Sequence, residues 1–98
     1  MRHIVTGPAK QDIREIVEYI RRDNARAAVS VGRRIREAIR KVAAIPSIGH
    51  AHNALNNPAV RVYGVYSYLI FYRLERKHVV ILRVIHGGRD IKRVFPNG

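Results

Sequence analysis

The chain has 98 residues, with 19 Lys and Arg against 7 Asp and Glu and no Cys, so its formal net charge is +12. This length supports one modest core, and we predict a single domain over residues 1–98. The lack of Cys excludes disulfides, thiolate nucleophiles and Cys-ligated zinc. No apolar run approaches the ~20 residues of a membrane-spanning helix, and residues 1–8 do not resemble a signal peptide. We therefore expect a cytoplasmic protein without a membrane partner.

The basic charge is spread over the whole chain rather than gathered in a tail. Residues 1–46 carry 11 basic and 5 acidic side chains, and residues 47–98 carry 8 and 2. Such a domain is attracted to polyanions, which include nucleic acid, anionic membrane surfaces and acidic protein segments. The sign of the charge does not choose among them.

The first part of the chain is predicted to form a short strand followed by a helix. Arg2 to Thr6 alternates weakly, as a short strand does, and Pro8 suits the first position of a helix. Apolar residues at helical spacing then form one stripe on a helix of about 14 residues, with Asp12 lying off that stripe. The stripe consists of Ile13, Ile16, Val17 and Ile20.

A second helix is predicted between Asn24, which suits an N-cap, and Pro46, which ends it. The short connection makes the two helices antiparallel. The polar faces of the second helix are rich in cations, with only Glu37 opposing them, and we interpret these faces as solvated rather than as a dedicated binding surface. The cations are Arg26, Arg33, Arg34, Arg36, Arg40 and Lys41.

A loop of small and polar residues is predicted from Pro46 to Pro58. It contains His50 and His52, a pair that lacks a nearby acidic or thiolate ligand. Such a pair is weak support for a metal site, because a bound metal needs further ligands. We predict solvated histidines and no bound metal or other cofactor.

After the loop the apolar period changes from helical to alternating, which predicts three strands. They run from Val60 to Val65, from Tyr66 to Leu74 and from His78 to His86. The short polar connection at residues 75–77 predicts an antiparallel hairpin, and the last strand is apolar on both faces and therefore central. The fold class is α+β, an antiparallel sheet packed against an N-terminal helical hairpin in the order β-α-α-β-β-β.

Aromatic residues in the strands lie next to Arg in the sequence. Exposed aromatics among Arg can stack on RNA bases. Strands also select Tyr and Phe for ordinary packing, and we favour packing. The aromatics concerned are Tyr63, Tyr66, Tyr68, Phe71 and Tyr72.

Four separated blocks of this sequence strongly resemble the RelE/ParE toxin superfamily, and within it the ParE branch. The resemblance runs in order over residues 4–93, nearly the whole chain. The blocks are Pro8-Ala9-x-x-Asp12-Ile13-x-Glu15-Ile16-x-x-Tyr19-Ile20, Ile45-Pro46-x-Ile48-Gly49, Tyr68-Leu69-Ile70-Phe71-Tyr72-Arg73, and Ile81-Leu82-Arg83-Val84-Ile85-His86-Gly87-x-Arg89-Asp90-Ile91.

The resemblance implies the toxin of a type II toxin–antitoxin system, often called a plasmid stabilisation protein. It implies growth arrest through inhibition of DNA gyrase by protein–protein contact. It also implies a cognate acidic, ParD-like antitoxin and a hetero-oligomeric toxin–antitoxin complex. The alternative is a RelE-like, ribosome-dependent mRNA endoribonuclease, and a further alternative is a basic nucleic-acid-binding domain.

The residues expected to carry catalysis in the nuclease alternative are Arg83, His86 and Arg89. Two departures from RelE-like enzymes favour a toxin without its own catalysis. Phe95 lacks a hydroxyl near the position of the expected catalytic Tyr, and Tyr68 stands where such enzymes tend to carry an Arg. For His86 we favour a strand-end histidine hydrogen-bonded by the Gly87-Gly88 turn over a catalytic acid or base.

For the gyrase inhibitor, the expected target-binding residues are cations of the strands and of the C-terminal segment. We expect residues 89–98 to matter more for toxicity than for folding. The antitoxin is expected to place apolar residues in grooves beside the helical hairpin and the sheet, with its acidic residues at the rim. The predicted target-binding residues are Arg61, Arg73, Arg83, Arg89, Lys92 and Arg93.

Overall fold

The computed structural model describes residues 1–52, 55–89 and 91–94, without the side chains of Lys92 and Val94. Phe95 and the rest of the C-terminal segment lie outside the described residues. The elements are β1 (Arg2–Val5), α1 (Gly7–Arg21), α2 (Ala25–Ala44), a 3₁₀ turn (Pro46–Ile48), β2 (Val60–Val65), β3 (Tyr68–Glu75), β4 (His78–His86) and α3 (Ile91–Val94).

Side-chain caps begin both long helices. The Thr6 hydroxyl accepts a hydrogen bond from the Ala9 N–H at 3.2 Å, so α1 begins one residue before Pro8. The Asn24 side chain accepts one from the Ala27 N–H at 3.0 Å, which confirms the predicted cap of α2. Each cap satisfies a backbone donor that has no partner inside the helix.

The four strands form one sheet in the order β1-β4-β3-β2. The predicted α+β class and the helical hairpin on the sheet are confirmed. The sheet is mixed rather than wholly antiparallel, because β1 runs parallel to β4 while the other two pairs are antiparallel. Parallel neighbours need a long connection, and the helical hairpin with β2 and β3 supplies it here.

The two sheet hairpins have tight turns, of Tyr66-Ser67 and of Arg76-Lys77. Tyr66 and Arg76 have φ angles of 53° and 55°, in the left-handed region that favours glycine. Strand β3 therefore begins two residues later than predicted, because Tyr66 belongs to a turn.

Apolar clusters cover both faces of the sheet, as predicted for the central strand β4. On one face, α1 and α2 pack on Ile70, Tyr72 and Val79. On the other face, Phe71 and Ile85 lie under residues from outside the sheet, among them Leu55 and Ile91. Ile91 is 5% exposed.

The burial of Ile91 bears on the expectation about the C-terminal segment. Residues 89–98 were expected to matter more for toxicity than for folding, and α3 supplies one core residue of that segment. Full burial of an apolar side chain of this size stabilises a fold by about 1.5–3 kcal/mol. Within α3, Ile91 is therefore structural, while Arg93 is exposed.

Candidate functional site

A β-bulge interrupts β4 at its midpoint. Phe71 pairs with Arg83 while the next residue, Tyr72, pairs with Ile81, so Leu82 is an extra residue in β4. Bulges bend a strand and change the direction of the side chains next to them. The bulge therefore determines how the Arg83 side chain leaves the sheet.

The side chain of Arg83 pairs with a buried carboxylate of α1. Its Nε donates to Asp12 Oδ2 at 2.6 Å and its Nη2 donates to Asp12 Oδ1 at 2.8 Å. The backbone N–H of Val84 donates to Asp12 Oδ2 at 3.0 Å. A carboxylate that is 7% exposed needs such partners, because burial of an unpaired charge is costly. Asp12 thereby fastens α1 to β4.

The ion pair also sets the charge of Arg83. The hydrogen bonds that Arg83 donates to Asp12 raise the pKa of Arg83 above its ordinary value, and burial acts in the opposite direction. The guanidinium is therefore charged at neutral pH, and two of its nitrogens are occupied by Asp12. Sequence reasoning missed the role of Asp12, because the helical period placed this residue off the apolar stripe. The available signal was its position one turn after Ala9 and next to Ile13, both of which pack on the core.

A cleft of about 420 Å³ lies beside this ion pair, between α1 and the end of β4. It brings together two of the three residues expected for a nuclease, His86 and Arg89. Arg83 is absent from its lining. The lining residues are Asp12, Glu15, Ile16, Tyr19, Tyr68, Val84, Ile85, His86 and Arg89.

His86 is fixed at the end of β4 by the turn that follows it. Its Nδ1 accepts a hydrogen bond from the Gly88 N–H at 3.0 Å, which confirms the interpretation of a strand-end histidine bound by the Gly87-Gly88 turn. Its ring meets the ring of Tyr68 edge-on, with centroids 5.7 Å apart. Accepting this bond leaves Nε2 as the nitrogen that can face the cleft.

The charges of the cleft are nearly balanced. Asp12 and Glu15 contribute carboxylates, and Arg89 contributes the guanidinium that faces the cleft. Glu15 also accepts a hydrogen bond from the Gln11 side chain at 2.9 Å. A surface that holds phosphate by charge needs an excess of cations. This cleft can bind polar and aromatic groups but offers little excess positive charge to a phosphate backbone.

Arg61, one of the predicted target-binding residues, is used inside the fold. Its guanidinium donates to the Gly49 carbonyl through Nε at 3.1 Å and also through Nη2. The hydroxyl of buried Tyr72 donates to the Pro46 carbonyl at 2.7 Å and accepts from the Gly49 N–H at 2.9 Å. A Cβ on Gly49 would meet the Tyr72 hydroxyl and lie 2.7 Å from the Val62 carbonyl oxygen. These contacts hold the 3₁₀ turn on the sheet.

The other predicted target-binding residues are on the surface. Arg73 pairs with Glu75 through Nη2 at 2.8 Å, and both side chains are about half exposed. Arg89 and Arg93 are exposed near the end of β4 and on α3. Lys92 belongs to α3, and its side chain is outside the described part. The predicted set therefore does not form one surface, and Arg89 and Arg93 are its open members.

An apolar groove of about 370 Å³ lies where β1 meets both helices. Its floor consists of Val5, Ile13 and Ile39. Its rim carries one histidine, His3, and four cations, which are Lys10, Arg14, Arg36 and Arg40. An apolar floor under a cationic rim suits a segment that carries both apolar and acidic side chains.

Both loop histidines, His50 and His52, make contacts with residues of the sheet. His50 forms an isolated backbone bridge with Val62, and the ring of His52 lies 6.0 Å from that of Phe71. In the described ranges, no three His, Cys, Asp or Glu side chains are grouped as metal ligands would be. None of the described helices has the length and apolar composition required to cross a membrane.

Comparisons with known proteins place the sequence in a family. Residues 4–91 match a family model described as "ParE toxin of type II toxin-antitoxin system, parDE". No curated protein matches the sequence significantly. The structure is similar to a solved chain titled "Chromosomal ParDE TA system from P. aeruginosa", with a TM-score of 0.74 and 19% identity over 88% of this chain and 95% of that chain. The family match covers most of the sequence, and the chain belongs to the ParE toxin family of type II toxin–antitoxin systems.

Proposed function

We propose that this ParE-family toxin arrests growth by binding DNA gyrase, without cleavage of RNA by its own residues. The observation that carries the proposal is the Asp12–Arg83 ion pair. Cleavage of RNA by its 2′-hydroxyl needs a base, an acid and cations that stabilise the developing charge. A catalytic Arg83 would have to face the RNA, whereas here its guanidinium donates to Asp12 of α1.

The exposed arginines at the end of β4 are the proposed target-binding residues. Arg89 and Arg93 are both exposed, and neither is in an ion pair within the described part of the chain. Arg is enriched at the centres of protein interfaces because it combines charge, planarity and apolar contact. A target that presents carboxylates or aromatic rings fits this end of the molecule.

A second function, ribosome-dependent cleavage of mRNA, is supported by one observation. Tyr68, His86 and Arg89 line the same cleft. These side chains supply a hydroxyl, an imidazole and a guanidinium, which are groups that nucleases use. The hydrogen bond to His86 Nδ1 and the carboxylates in the cleft make this function the weaker of the two.

One pair of reactions separates the two functions. Purified toxin is incubated with gyrase, ATP and supercoiled plasmid, and in parallel with translating ribosomes and mRNA. We expect cleaved plasmid to accumulate only when both toxin and gyrase are present. Cuts in mRNA at codon-defined positions, with the gyrase reaction unchanged, would contradict the proposal and establish the nuclease.

We further propose that the cognate antitoxin places an acidic, apolar segment in the groove between β1, α1 and α2. The floor offers apolar surface at Val5, Ile13 and Ile39, and the rim is cationic. Burial of apolar side chains on the floor supplies affinity. Carboxylates at the rim fix the position of the segment and speed its association with a toxin of net charge +12.

A further inference from the structure

The polar side of α2 is a dense row of cations, among which exposed Glu37 is the one acidic side chain of the helix. We name this row the α2 ridge; all six of its side chains are exposed. None of them is in an ion pair with a carboxylate of the described residues. The ridge consists of Arg26, Arg33, Arg34, Arg36, Arg40 and Lys41.

The members of the α2 ridge differ in their surroundings. Arg36 and Arg40 reach the rim of the apolar groove. Arg34 lies over the ring of Tyr66, 5.6 Å from its centroid, and Lys41 lies over Tyr63 at 6.0 Å. Arg26 and Arg33 belong to neither group. They are seven residues apart and therefore on one face of the helix.

The α2 ridge lacks the apolar centre that a stable interface with a protein segment requires. On α2, which is described in full, Val29 is the one exposed large apolar side chain. Stable protein interfaces need a buried apolar centre with a polar rim. The apolar groove between β1, α1 and α2 has an apolar centre. The exposed side of the α2 ridge has none. Binding to phosphates, in contrast, needs no apolar centre, because Arg and Lys supply the electrostatic part of the affinity.

The shape of the ridge favours a duplex over a single strand. Arg26, Arg33 and Arg40 are spaced by seven residues, so they form a nearly straight row about 21 Å long at a rise of about 1.5 Å per residue. Duplex DNA presents about one phosphate for every 1.7 Å of its axis and so offers phosphates along this whole length. Single-strand binding uses open aromatic platforms, whereas Tyr63 and Tyr66 each have a cation over the ring.

We infer that the α2 ridge binds the phosphate backbone of duplex DNA without reading its sequence. The inference does not depend on gyrase as the target, and it revises the interpretation of these cations as only a solvated face. Each phosphate neutralised releases a counterion, so affinity falls with salt with a slope of about −0.9 per contact in a double logarithmic plot. Three to six contacts give a slope of about −3 to −5.

The test compares two double variants that have the same net charge. Arg26→Gln/Arg33→Gln removes two ridge cations that do not line the apolar groove. Arg2→Gln/Lys77→Gln removes two exposed cations outside α2, at the end of the sheet where Arg2 pairs with His78. Gln is nearly as good a helix former as Arg, so α2 should remain intact. Thermal unfolding of both variants checks the fold.

Binding of a labelled 20-base-pair DNA of random sequence is measured by fluorescence anisotropy at several salt concentrations. For the ridge variant we expect an affinity lower by 10- to 100-fold at about 0.1 M salt and a slope reduced by about 2. The sheet variant should keep the slope of the parent protein. An equal loss in both variants, or no loss in the ridge variant, would overturn the inference.

Two competitors identify the polyanion. A polyglutamate peptide should displace the duplex only at far higher concentration than unlabelled duplex, and displacement at equal charge concentration would instead assign the ridge to acidic protein. A single-stranded DNA, or a duplex RNA of the same sequence, should bind more weakly than duplex DNA. Tighter binding of either one would overturn the assignment to duplex DNA.

Discussion

Arg83 and Arg33 carry the same side chain in opposite surroundings. Arg83 is held by a buried carboxylate, and its hydrogen bonds to Asp12 join a strand to a helix. Arg33 is exposed on α2 with no carboxylate partner among the described residues. The first arginine is part of the fold, while the second is open to solvent.

This difference shows why a basic composition does not identify a binding surface. Of the six cations predicted to bind a target, Arg61 and Arg83 hold other parts of the chain together. A buried or loop-holding guanidinium is removed from the surface that a partner meets. The binding surfaces must be sought among the cations that remain open, such as Arg89 and Arg33.

The largest expected effect comes from breaking the buried ion pair. Arg83→Ala leaves the Asp12 carboxylate without its counter-ion, and we expect the free energy of unfolding to fall by about 3–4 kcal/mol. Arg33→Ala, the matched change on the α2 ridge, should stay within about 0.5 kcal/mol. Urea denaturation of the two variants measures both values, and equal losses would contradict the contrast between them.

The pKa of Arg83 determines how this loss depends on pH. The pKa is raised in the folded protein, so the stabilisation from Arg83 is complete below its pKa in the unfolded chain and is lost only at strongly alkaline pH. The difference between the parent protein and Arg83→Ala should therefore be the same at pH 7 and at pH 9. If the destabilisation by Arg83→Ala became smaller between pH 7 and pH 9, a group other than Arg83 would be losing its charge, which would contradict this account of the ion pair.

A smaller loss is expected at the C-terminal helix. Ile91→Ala removes a buried side chain near the end of the chain, and we expect a loss of about 2 kcal/mol, at the low end for such a change because the site can partly collapse. Arg93→Ala, two residues away and exposed, is the control and should leave the urea midpoint unchanged. If Ile91→Ala left the free energy of unfolding unchanged, α3 would contribute nothing measurable to folding.

The hydroxyl of Tyr72 tests the attachment of the 3₁₀ turn. Tyr72→Phe leaves the Gly49 N–H and the Pro46 carbonyl without their partner, and we expect a loss of about 1–2 kcal/mol. Tyr63→Phe changes the same kind of side chain at a half-buried position of β2, where no hydroxyl bond is found within the described residues. Thermal unfolding should separate the two variants, and identical midpoints would show that the hydroxyl contributes nothing.

The smallest effect concerns the rate at which the antitoxin associates. Arg14→Gln/Arg36→Gln removes two rim cations of the apolar groove and should slow association with the antitoxin by about tenfold at low salt. Dissociation should change less, because the apolar floor is intact. Rapid mixing of toxin with the antitoxin encoded beside it measures both rates. An unchanged association rate would place the acidic segment elsewhere.

Local signals were sufficient for most of the fold. Asn24 and Pro46 defined α2, and alternation defined β2 and β4 within a residue, because caps, proline and side-chain period act over a few residues. The parallel pairing of β1 with β4 was missed because it joins positions more than seventy residues apart. The start of β3 was missed because Tyr66 adopts a positive φ that its residue type does not predict.

The site was harder to predict than the fold. His86 and its turn were readable because Gly88 follows two residues later. The pairing of Asp12 with Arg83 was not, because it depends on a bulge that adds Leu82 to β4 and on the packing of α1 against that strand. Whether an arginine is structural or open is decided by such distant contacts, and composition gives no measure of them.

The central claim, that toxicity comes from binding rather than catalysis, is tested most directly by growth arrest. His86→Ala is compared with Arg89→Glu/Arg93→Glu after induction at equal protein levels. We expect His86→Ala to change the rate of arrest by about threefold or less, as peripheral contacts do, and the double charge reversal to abolish most of it. A nuclease would lose about 10²- to 10⁴-fold in activity without its acid or base. Loss of arrest in His86→Ala, with arrest retained in the double variant, would contradict the claim.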